Sequence, residues 1–486
     1  RFSRPAHRLR CGKGCFTLLT TMPILKLSTQ RRPGGFREFF SIAYPLIISN
    51  ASYTLMHFVD RLFLAWSSPE DIAACLPAGT LSYSLMAIFL GISEYTNTFV
   101  AQFYGASRSS SIGAATWQGI YFALFGGMVC LLLLPVGTLF LDWMGHPADI
   151  LALEKIYFTN LFAGGTFFLL KEALSSFYSG RGKTLVVMLN NLAANLLNAF
   201  LDYALIFGKW GFPKLGIQGA AVATVFSTFI CCVVFFILFL APKNHQMFRT
   251  LTSYRFNPNL MRRLMRFGTP AGIQFLLEVS SFTMFIFMVG NVGKIELAAS
   301  NIAFSLNSLA WLPMIGASVA TATLVGQHIG RKDPATAQKC VYTALISMES
   351  YMLLWAFLYI CFPNTLFSLF QSSAPSADIP FSEVQRYGSL ILMFVAIYQI
   401  SDAMNLTFNG ALRGAGDTAF PMWTSISLAW LLFVPGTWLS LNHFGMGIEA
   451  AWFWVTAYIT LLGFILLIRF RSGQWKRFKV IPDEGV

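Results

Sequence analysis

The chain has 486 residues, of which 56% are hydrophobic and only 11% are charged, and its formal net charge at pH 7 is +13. An ordinary soluble domain carries about 25% charged residues, so this composition excludes a typical soluble globular protein. No polar stretch is long enough to bury a core of its own as a catalytic or nucleotide-binding domain. We therefore expect the chain to lie within a membrane.

The apolar residues form runs of roughly 20 or more, which is the length that an α-helix needs to cross a bilayer. The sequence predicts twelve spans, at residues 41–64, 72–104, 112–141, 150–178, 185–207, 216–241, 265–290, 297–329, 335–362, 384–412, 419–441 and 447–469. This pattern predicts an all-α polytopic membrane protein with twelve transmembrane helices.

The two halves of the chain repeat one another. Residues 100–105 (VAQFYG) end one apolar segment, and residues 325–330 (VGQHIG) end another, 225 positions later. The offset places six spans in each half, and an even number gives both halves the same orientation in the membrane. The sequence thus predicts two pseudo-symmetric six-helix lobes, an arrangement typical of secondary transporters that rock about a central site.

These features divide the chain into five parts. They are a basic tail at 1–37, an N-lobe at 38–241, a linker at 242–264, a C-lobe at 265–470 and a second tail at 471–486. Because residues 1–21 precede Met22, we expect them to be translated upstream sequence. Lysine and arginine gather in the tails and in alternate loops, which predicts an integral plasma (cytoplasmic, inner) membrane protein with both termini in the cytoplasm. Contact with anionic lipid explains this charge without nucleic acid.

Ionisable side chains inside the spans are the candidates for function, because each costs about 2.5–3.5 kcal/mol near mid-membrane. They are Asp60, Glu94, Lys171, Glu172, Asp202, Glu278, Glu349 and Asp402. Acids outnumber bases, so the excess carboxyl groups must be protonated or bind cations. A carboxyl group that alternates between an empty and an occupied state can couple transport to a cation gradient.

Two clusters are predicted to bind the coupling cation. In the N-lobe, Asn198 and Asp202 lie four residues apart and so share a helix face, where Thr224 and Asp60 can add oxygens. Such an all-oxygen set suits a hard cation such as Na⁺. In the C-lobe, Glu278 and Asp402 lie in the seventh and tenth spans, which makes that pair the second candidate.

The alternative is that these polar residues have a structural role and join neighbouring helices. Asn191 and Asn195 lie near the same face as the N-lobe cluster, and amides also join membrane helices through hydrogen bonds. Glu94, Lys171 and Glu172 are weaker candidates, either as salt-bridge partners or as charges in a cavity. Adjacent residues on a helix point about 100° apart, so Lys171 and Glu172 are not expected to neutralise each other.

Three segments carry a resemblance to the multidrug and toxic compound extrusion (MATE) family. They are residues 100–106 (VAQFYGA), 318–330 (SVATATLVGQHIG) and 411–418 (ALRGAGDT), and the likeness runs from about residue 38 to 470. The resemblance implies a twelve-helix antiporter that expels organic cations in exchange for Na⁺ or H⁺ and that needs no cofactor besides the ion.

The resemblance also suggests roles for particular acids. Glu278 and Asp402 look like the C-lobe cation site of the NorM-like branch, and Asp60 looks like the first-helix acid of the family. Asn198 and Asp202 resemble the N-lobe site of DinF-like and archaeal members. Because the chain carries both sets, the branch and the coupling ion stay open.

One position departs from the family pattern. Arg61 follows Asp60, where the family commonly has a small hydroxyl residue. Arg61 either pairs with Asp60, which would make the acid structural, or extends to the external interface.

The sequence therefore predicts a monomeric, cation-coupled exporter of small organic cations that works by alternating access of two lobes. The alternative is a flippase or exporter of lipid-linked or amphiphilic metabolites, which would require a cavity richer in arginine and often extra spans. A membrane receptor or scaffold is a third possibility. No nucleophile elbow, dinucleotide fingerprint or zinc-site spacing is present, so the chain is not expected to be an enzyme.

Overall fold

The computed structural model describes residues 33–370 and 381–482. Most of the predicted basic tail, including the expected start at Met22, lies outside the described residues, as do residues 371–380 and 483–486. Within the described residues every regular element is helical, as the apolar runs predict.

The first half of the chain forms seven longer helices and one short one. They are α1 (Phe36–Ser67), α2 (Pro69–Gly105), α3 (Ser109–Trp143), α4 (Ala148–Ala163), α5 (Gly165–Ser179), α6 (Thr184–Phe207), α7 (Ile217–Leu240) and α8 (Pro242–Phe248). The second half contains α9 (Pro258–Gly290), α10 (Lys294–Gly330), α11 (Pro334–Cys361), α12 (Pro363–Ser368), α13 (Phe381–Ala415), α14 (Ala419–Leu428), α15 (Val434–Trp438) and α16 (Ile448–Arg471).

In the described part of the chain, ten helical segments are long and apolar enough to cross a membrane, with 419–443 taken as one segment. The first predicted span, α1, and the fourth, α4 with α5, are not among the ten. The α4–α5 pair is too short in each piece, and polar residues such as Ser49, Asn50 and Ser52 lower the mean hydropathy of α1. Together with these two, the helices make the twelve predicted spans.

The fourth and eleventh spans are interrupted, which the hydropathy pattern did not predict. The fourth breaks at Gly164, where a side-chain Cβ would lie 2.4 Å from Val225 of α7. The eleventh contains π-helical turns, the first at Ala429–Phe433. Pro435 has no N–H to donate to the carbonyl of Leu431, so the preceding turn widens.

The predicted linker at 242–264 is largely helical in the structure. Residues Pro242–Phe248 form α8, and α9 begins at Pro258, well before the predicted start of the seventh span. The polar residues that favoured a loop are helix-start signals, because Asn257 caps α9 by accepting a hydrogen bond from the backbone N–H of Leu260.

The hydrophobic cores show where the two lobes join. We call the end of the bundle at which α1 begins and α16 ends the basic side. There, one core combines Ile42 and Phe99 of the first half with Phe267 and Leu324 of the second. Toward the opposite side, the first half has a core of its own around Phe158, separate from the core of the second half.

The lobes therefore share a core on the basic side and have separate cores on the opposite side, an arrangement that leaves room for a cleft between them there. Among the described residues, the only aromatic pair that crosses between the lobes is Tyr83 with Phe275, whose ring centroids are 5.7 Å apart. Leu55 and Phe58 of α1 and Met284 of α9, farther toward the opposite side, are exposed.

Two reciprocal hydrogen bonds close the basic side. The side-chain amide of Gln102 on α2 donates to the carbonyl of Gly414 at 3.0 Å, and that of Gln327 on α10 donates to the carbonyl of Gly180 at 2.9 Å. The two glutamines occupy equivalent positions of the repeat, and so do the two carbonyls. The repeated motif thus builds a symmetric seam between the lobes, which we call the glutamine seam.

The glycines of the same motif let α2 and α10 cross at backbone contact. A Cβ on Gly105 would lie 2.0 Å from the carbonyl oxygen of Gln327, and a Cβ on Gly330 would lie 2.1 Å from that of Gln102. No ordinary side chain fits at these distances. The pattern Gln-x-x-Gly is therefore repeated because each lobe supplies one half of the same crossing.

The C-terminal segment spans the seam on the basic side. Arg108, in the α2–α3 loop, donates to the carbonyl of Pro482 at 2.6 Å, and Arg263 of α9 donates to that of Val480 at 3.0 Å. Val480 is fully buried, close to Gly416. The segment after α16 therefore contacts both lobes and covers part of their junction.

We expect Gly105→Ala and Gly330→Ala each to lower the apparent melting temperature of the purified protein in detergent. Each added methyl group would force two helix backbones apart, a change that typically costs about 1–3 kcal/mol. Gly290→Ala is the matched control, because its Cβ would make only an ordinary 3.7 Å contact with Leu297. An equal melting temperature for all three variants would contradict the close crossing.

Candidate functional site

The N-lobe acids are brought together in the structure. Asp60 of α1 and Asp202 of α6 are both buried, and their carboxyl groups lie within hydrogen-bonding reach of each other. Among the described residues, no donor reaches Oδ1 of Asp60 or either carboxyl oxygen of Asp202. Two buried carboxylates cannot both remain charged and unpaired at this distance, so the pair has to share a proton or a cation.

The other two predicted N-lobe residues lie one helical turn away. The Asn198 amide donates to the hydroxyl of Thr224 at 3.3 Å, and that hydroxyl donates to the carbonyl of Ala220 at 3.0 Å. Oδ1 of Asn198 is buried and has no donor among the described residues. With the two acids, this atom adds to a concentration of unsatisfied oxygens, which are the ligands that Na⁺ prefers.

Three neighbours of the pair were missed by the sequence analysis. His57 places Nδ1 3.9 Å from Asp60, while Tyr157 of α4 and Cys75 of α2 lie close to each other and within electrostatic range of the same acid. Only His57 could have been found from sequence, by its position one turn before Asp60. Arg61 is exposed and forms no ion pair with Asp60 in the described part of the chain.

Asn191 and Asn195 have structural partners. Their side-chain amides donate to the hydroxyl groups of Ser49 at 2.8 Å and Ser52 at 2.9 Å, and so join α6 to α1. This is the polar seam that the sequence analysis considered as an alternative, but it stops short of the aspartate pair.

The C-lobe acid Glu278 is well supplied with hydrogen-bond donors. Its Oε1 accepts from the hydroxyl of Ser425 at 2.5 Å and from the amide of Gln274 at 2.9 Å. The Ser425 hydroxyl also lies 3.2 Å from that of Tyr458. Helices α9, α14 and α16 therefore fix this carboxyl group from three directions.

Asp402 lies in the same region but is not joined directly to Glu278. Asp402 is buried, and it lies close to the side chain of Asn405 and within electrostatic range of Glu278. No hydrogen bond between the two carboxyl groups occurs in the described residues. The C-lobe thus has two acids separated by polar side chains, whereas the N-lobe has two acids in contact.

The weaker candidates form ion pairs. Arg413 of α13 lies 3.3 Å from Glu94 of α2 and links the two lobes. Lys171 lies 3.3 Å from Glu172 and 5.3 Å from the ring centroid of Tyr53. The prediction that Lys171 and Glu172 do not neutralise each other is wrong, because their long flexible side chains bridge the angle between adjacent helix positions.

Comparison with known proteins identifies the family. The MatE family model matches the chain twice, over residues 45–204 and 270–439. The chain belongs to the MatE family. The two matches fall on the two lobes, as expected for a MATE protein with an internal repeat.

Similar proteins are named as multidrug resistance proteins. The chain is 25% identical over 451 residues to "Probable multidrug resistance protein NorM" of Thermotoga maritima, a match that covers 93% of this chain and 95% of that protein. It is also 25% identical over 438 residues to the protein of the same name in Neisseria meningitidis, covering 89% and 93%. The resemblance to NorM-like MATE proteins is confirmed.

Solved structures share the fold. A MOP superfamily transporter from Pyrococcus furiosus matches with a TM-score of 0.81 at 17% identity, over 91% of this chain and 97% of that one. The eukaryotic MATE transporter AtDTX14 matches with a TM-score of 0.80 at 20% identity, over 91% and 96%. The prediction of an all-α membrane protein with twelve helices in two lobes is confirmed.

We expect Glu94 and Arg413 to be coupled across the lobes. In a cycle of Glu94→Gln, Arg413→Gln and the double variant, the losses of thermal stability should be non-additive, by the equivalent of about 0.5–1 kcal/mol for a partly exposed pair. The exposed pair Glu383–Arg386, at 3.2 Å within one helix, is the control and should show weaker coupling. Additive losses would show that the Glu94–Arg413 ion pair does not stabilise the contact between the lobes.

Proposed function

We propose that this MATE protein is a secondary active antiporter that exports small organic cations in exchange for Na⁺ or H⁺. The observation that supports the proposal most directly is the contact between Asp60 and Asp202, whose buried oxygens lack donors. Such a pair is more stable with a cation or proton between its members than without one. It is therefore suited to binding and releasing a coupling ion.

Helix α1 connects this pair to the junction between the lobes. Asp60 lies toward one end of α1, while Leu46 packs against Gly316 of α10 nearer the basic side, where a Cβ would come within 2.7 Å. A change in the charge of the Asp60–Asp202 pair alters how α1 packs on α6. Because α1 is one continuous helix, such a shift reaches the contact with α10 and biases the lobe arrangement.

The C-lobe cluster supports a second role in the same cycle. Glu278 and Asp402 present carboxylate oxygens among Ser425, Tyr458 and Asn405, a set that can hold a proton, a Na⁺ ion or the positive charge of a substrate. We propose that ion binding at one or both clusters favours one lobe arrangement and that the organic cation favours the other.

The charges in the spans disfavour the flippase alternative. A carrier of lipid-linked sugars needs unpaired basic groups to meet phosphates, but Lys171 is paired with Glu172 and Arg413 with Glu94. Arg61, near one end of α1, is exposed, so the buried charges that remain unpaired are carboxyl groups, and these favour cationic substrates.

We propose that both termini lie in the cytoplasm of a protein that acts as a monomer in the plasma membrane. A cavity of about 1610 Å³ on the basic side supports the orientation, because basic residues dominate its charged lining. They are Arg108, Arg249, Arg262, Arg263, Arg266 and Lys479. A cysteine introduced as Ser107→Cys should resist a membrane-impermeant thiol reagent added to intact cells; rapid labelling would reverse the orientation.

The deciding experiment is ethidium efflux from proteoliposomes that contain the purified protein, under a Na⁺ gradient alone and then under a proton gradient alone. Efflux driven by either gradient establishes antiport and identifies the ion. Absence of efflux under both, with movement of a fluorescent lipid-linked sugar analogue, would replace the proposal with the flippase.

The carboxyl groups should be required for coupling. We expect Asp60→Asn, Asp202→Asn, Glu278→Gln and Asp402→Asn each to reduce gradient-driven efflux by at least about tenfold, which corresponds to about 1.4 kcal/mol, while the protein still folds. Glu349→Gln is the control, because Glu349 lies in a span but in neither cluster.

The pattern of loss in the same assay locates the coupling site. Loss confined to the Asp60 and Asp202 variants assigns coupling to the N-lobe, and loss confined to the other two assigns it to the C-lobe. Normal efflux by all four variants would overturn the proposed mechanism.

A further inference from the structure

Three side chains of metal-binding type converge on the basic side, outside the clusters described above. Glu38 comes from the first turn of α1, His328 from the end of α10 and Cys340 from α11. One ligand atom of each lies within 4.8 Å of the other two, and Nε2 of His328 lies 3.3 Å from Oε1 of Glu38. Sequence spacing could not reveal the cluster, because the three residues lie on three different helices.

The imidazole of His328 points to a missing ligand. The residue is only 2% exposed, and neither of its ring nitrogens has a properly aligned hydrogen bond within the described residues, despite the short distance to Glu38. A buried polar group without a partner typically costs about 1–3 kcal/mol. Coordination to a metal ion would satisfy one of these nitrogens.

The donor set identifies the kind of ion. We propose that Glu38, His328 and Cys340 form a binding site for Zn²⁺, with a water molecule as the fourth ligand. Carboxylate, imidazole and thiolate are the three protein ligands that zinc uses, at about 2.0–2.3 Å in tetrahedral geometry. That geometry places ligand atoms about 3.5 Å apart, so the side chains would need to move inward by only about 1 Å.

The surroundings hold the carboxylate in place for this role. Oε2 of Glu38 accepts a hydrogen bond from the backbone N–H of Gly34 at 2.7 Å, which leaves Oε1 facing His328. The carbonyl of Gly34 in turn accepts from the hydroxyl of Thr343 on α11 at 2.7 Å. Hydrogen bonds of this kind orient ligands in metal sites.

The cluster is not a by-product of the internal repeat. At the repeat offset of 225 residues, the positions equivalent to Glu38, His328 and Cys340 are occupied by Arg263, Phe103 and Ala115, in that order. None of these three can ligate a metal ion. The duplicated frame thus brings three helices together twice, and only one of the two places carries ligands.

The cluster contains residues of both lobes, so a metal ion bound there would affect how the lobes move. Glu38 belongs to the N-lobe, whereas His328 and Cys340 belong to the C-lobe, so a bound ion would tie the lobes together on the basic side. Zn²⁺ should therefore hold the cleft in the arrangement that opens away from the basic side and inhibit transport. This second step depends on the proposed antiport by alternating access; the binding of metal does not.

Binding is tested with Co²⁺ as a spectroscopic substitute for Zn²⁺, titrated into the purified full-length protein in detergent. We expect one Co²⁺ per chain, a thiolate-to-cobalt charge-transfer band in the near ultraviolet, and loss of that band on addition of Zn²⁺. Cys340→Ser should abolish the band, while Glu38→Gln and His328→Gln should weaken Co²⁺ binding by more than about tenfold.

Two features of the chain serve as controls. Cys130→Ser removes another buried cysteine and should leave the band unchanged. The His146–Glu154 pair, at 2.7 Å, contains no thiolate, so Co²⁺ bound there would not produce the charge-transfer band. Absence of the band in the unmodified protein, or its persistence in Cys340→Ser, would overturn the proposal.

Thermal unfolding provides a second measure of Zn²⁺ binding, which stays informative when the Cys340→Ser substitution itself destabilises the protein. Saturating Zn²⁺ should raise the apparent melting temperature of the unmodified protein but not that of Cys340→Ser, because only the folded unmodified chain binds the ion. An equal rise in both proteins would place the ion elsewhere and overturn the site.

Transport tests the consequence separately. Micromolar Zn²⁺ should inhibit ethidium efflux by the unmodified protein by more than about tenfold and leave Cys340→Ser unaffected, provided that Zn²⁺ occupies the site at this concentration. Binding without inhibition would retain the metal site and overturn the link between the lobes. Absence of ethidium efflux in metal-free buffer would count against the proposed antiport and leave the cobalt result as the measure of the site.

Discussion

The reciprocal hydrogen bonds of Gln102 and Gln327 are the contacts on which the arrangement of the two lobes depends. Each amide is buried and donates to a backbone carbonyl of the other lobe. A hydrogen bond of this kind contributes about 0.5–1.5 kcal/mol when it is made, but leaving the buried group unpaired costs about 1–3 kcal/mol. In the proposed alternating access, the seam would therefore have two acceptable states, which are closed with both bonds formed or open with both amides hydrated. An intermediate separation is penalised.

That energy scale matches what a coupling ion would supply in the proposed antiport. To reverse the populations of two states from 1:99 to 99:1, a ligand needs about 5.5 kcal/mol of difference in affinity. Two glutamine bonds, the pair Glu94–Arg413 and the close packing at Gly105 and Gly330 together amount to only several kcal/mol. Neutralisation of two buried carboxyl groups in contact falls in the same range, since each pKa unit corresponds to about 1.4 kcal/mol. In the proposed antiport, a single ion would therefore be able to shift the lobes without breaking the fold.

The sequence predicted those features that depend on local pattern. Hydropathy gave the twelve spans, the repeat gave the two lobes, and helical spacing placed Asn198 and Asp202 on one face. The features that were missed depend on tertiary contact. The break at Gly164 comes from the approach of Val225, the partner of Glu94 comes from the opposite lobe, and the pairing of Lys171 depends on its side-chain conformation. None of these is encoded within a window of a few residues.

The repeat is symmetric at the seam and asymmetric in its charges. At the offset that superimposes Gln102 on Gln327, the counterpart of Asp60 is Phe285, which lies in the C-lobe core, and the counterpart of Glu278 is Tyr53. On the basic side the counterpart of Glu38 is Arg263. Contact between the lobes at the glutamine seam requires the same backbone geometry from each lobe. The residues of the seam are therefore the same in both halves of the repeat. Cation binding requires only that one lobe change its internal packing relative to the other, and two identical sites would apply the same bias to both. In the proposed cycle, the different acids would thus allow one lobe to respond to an ion while the other provides a fixed surface to move against.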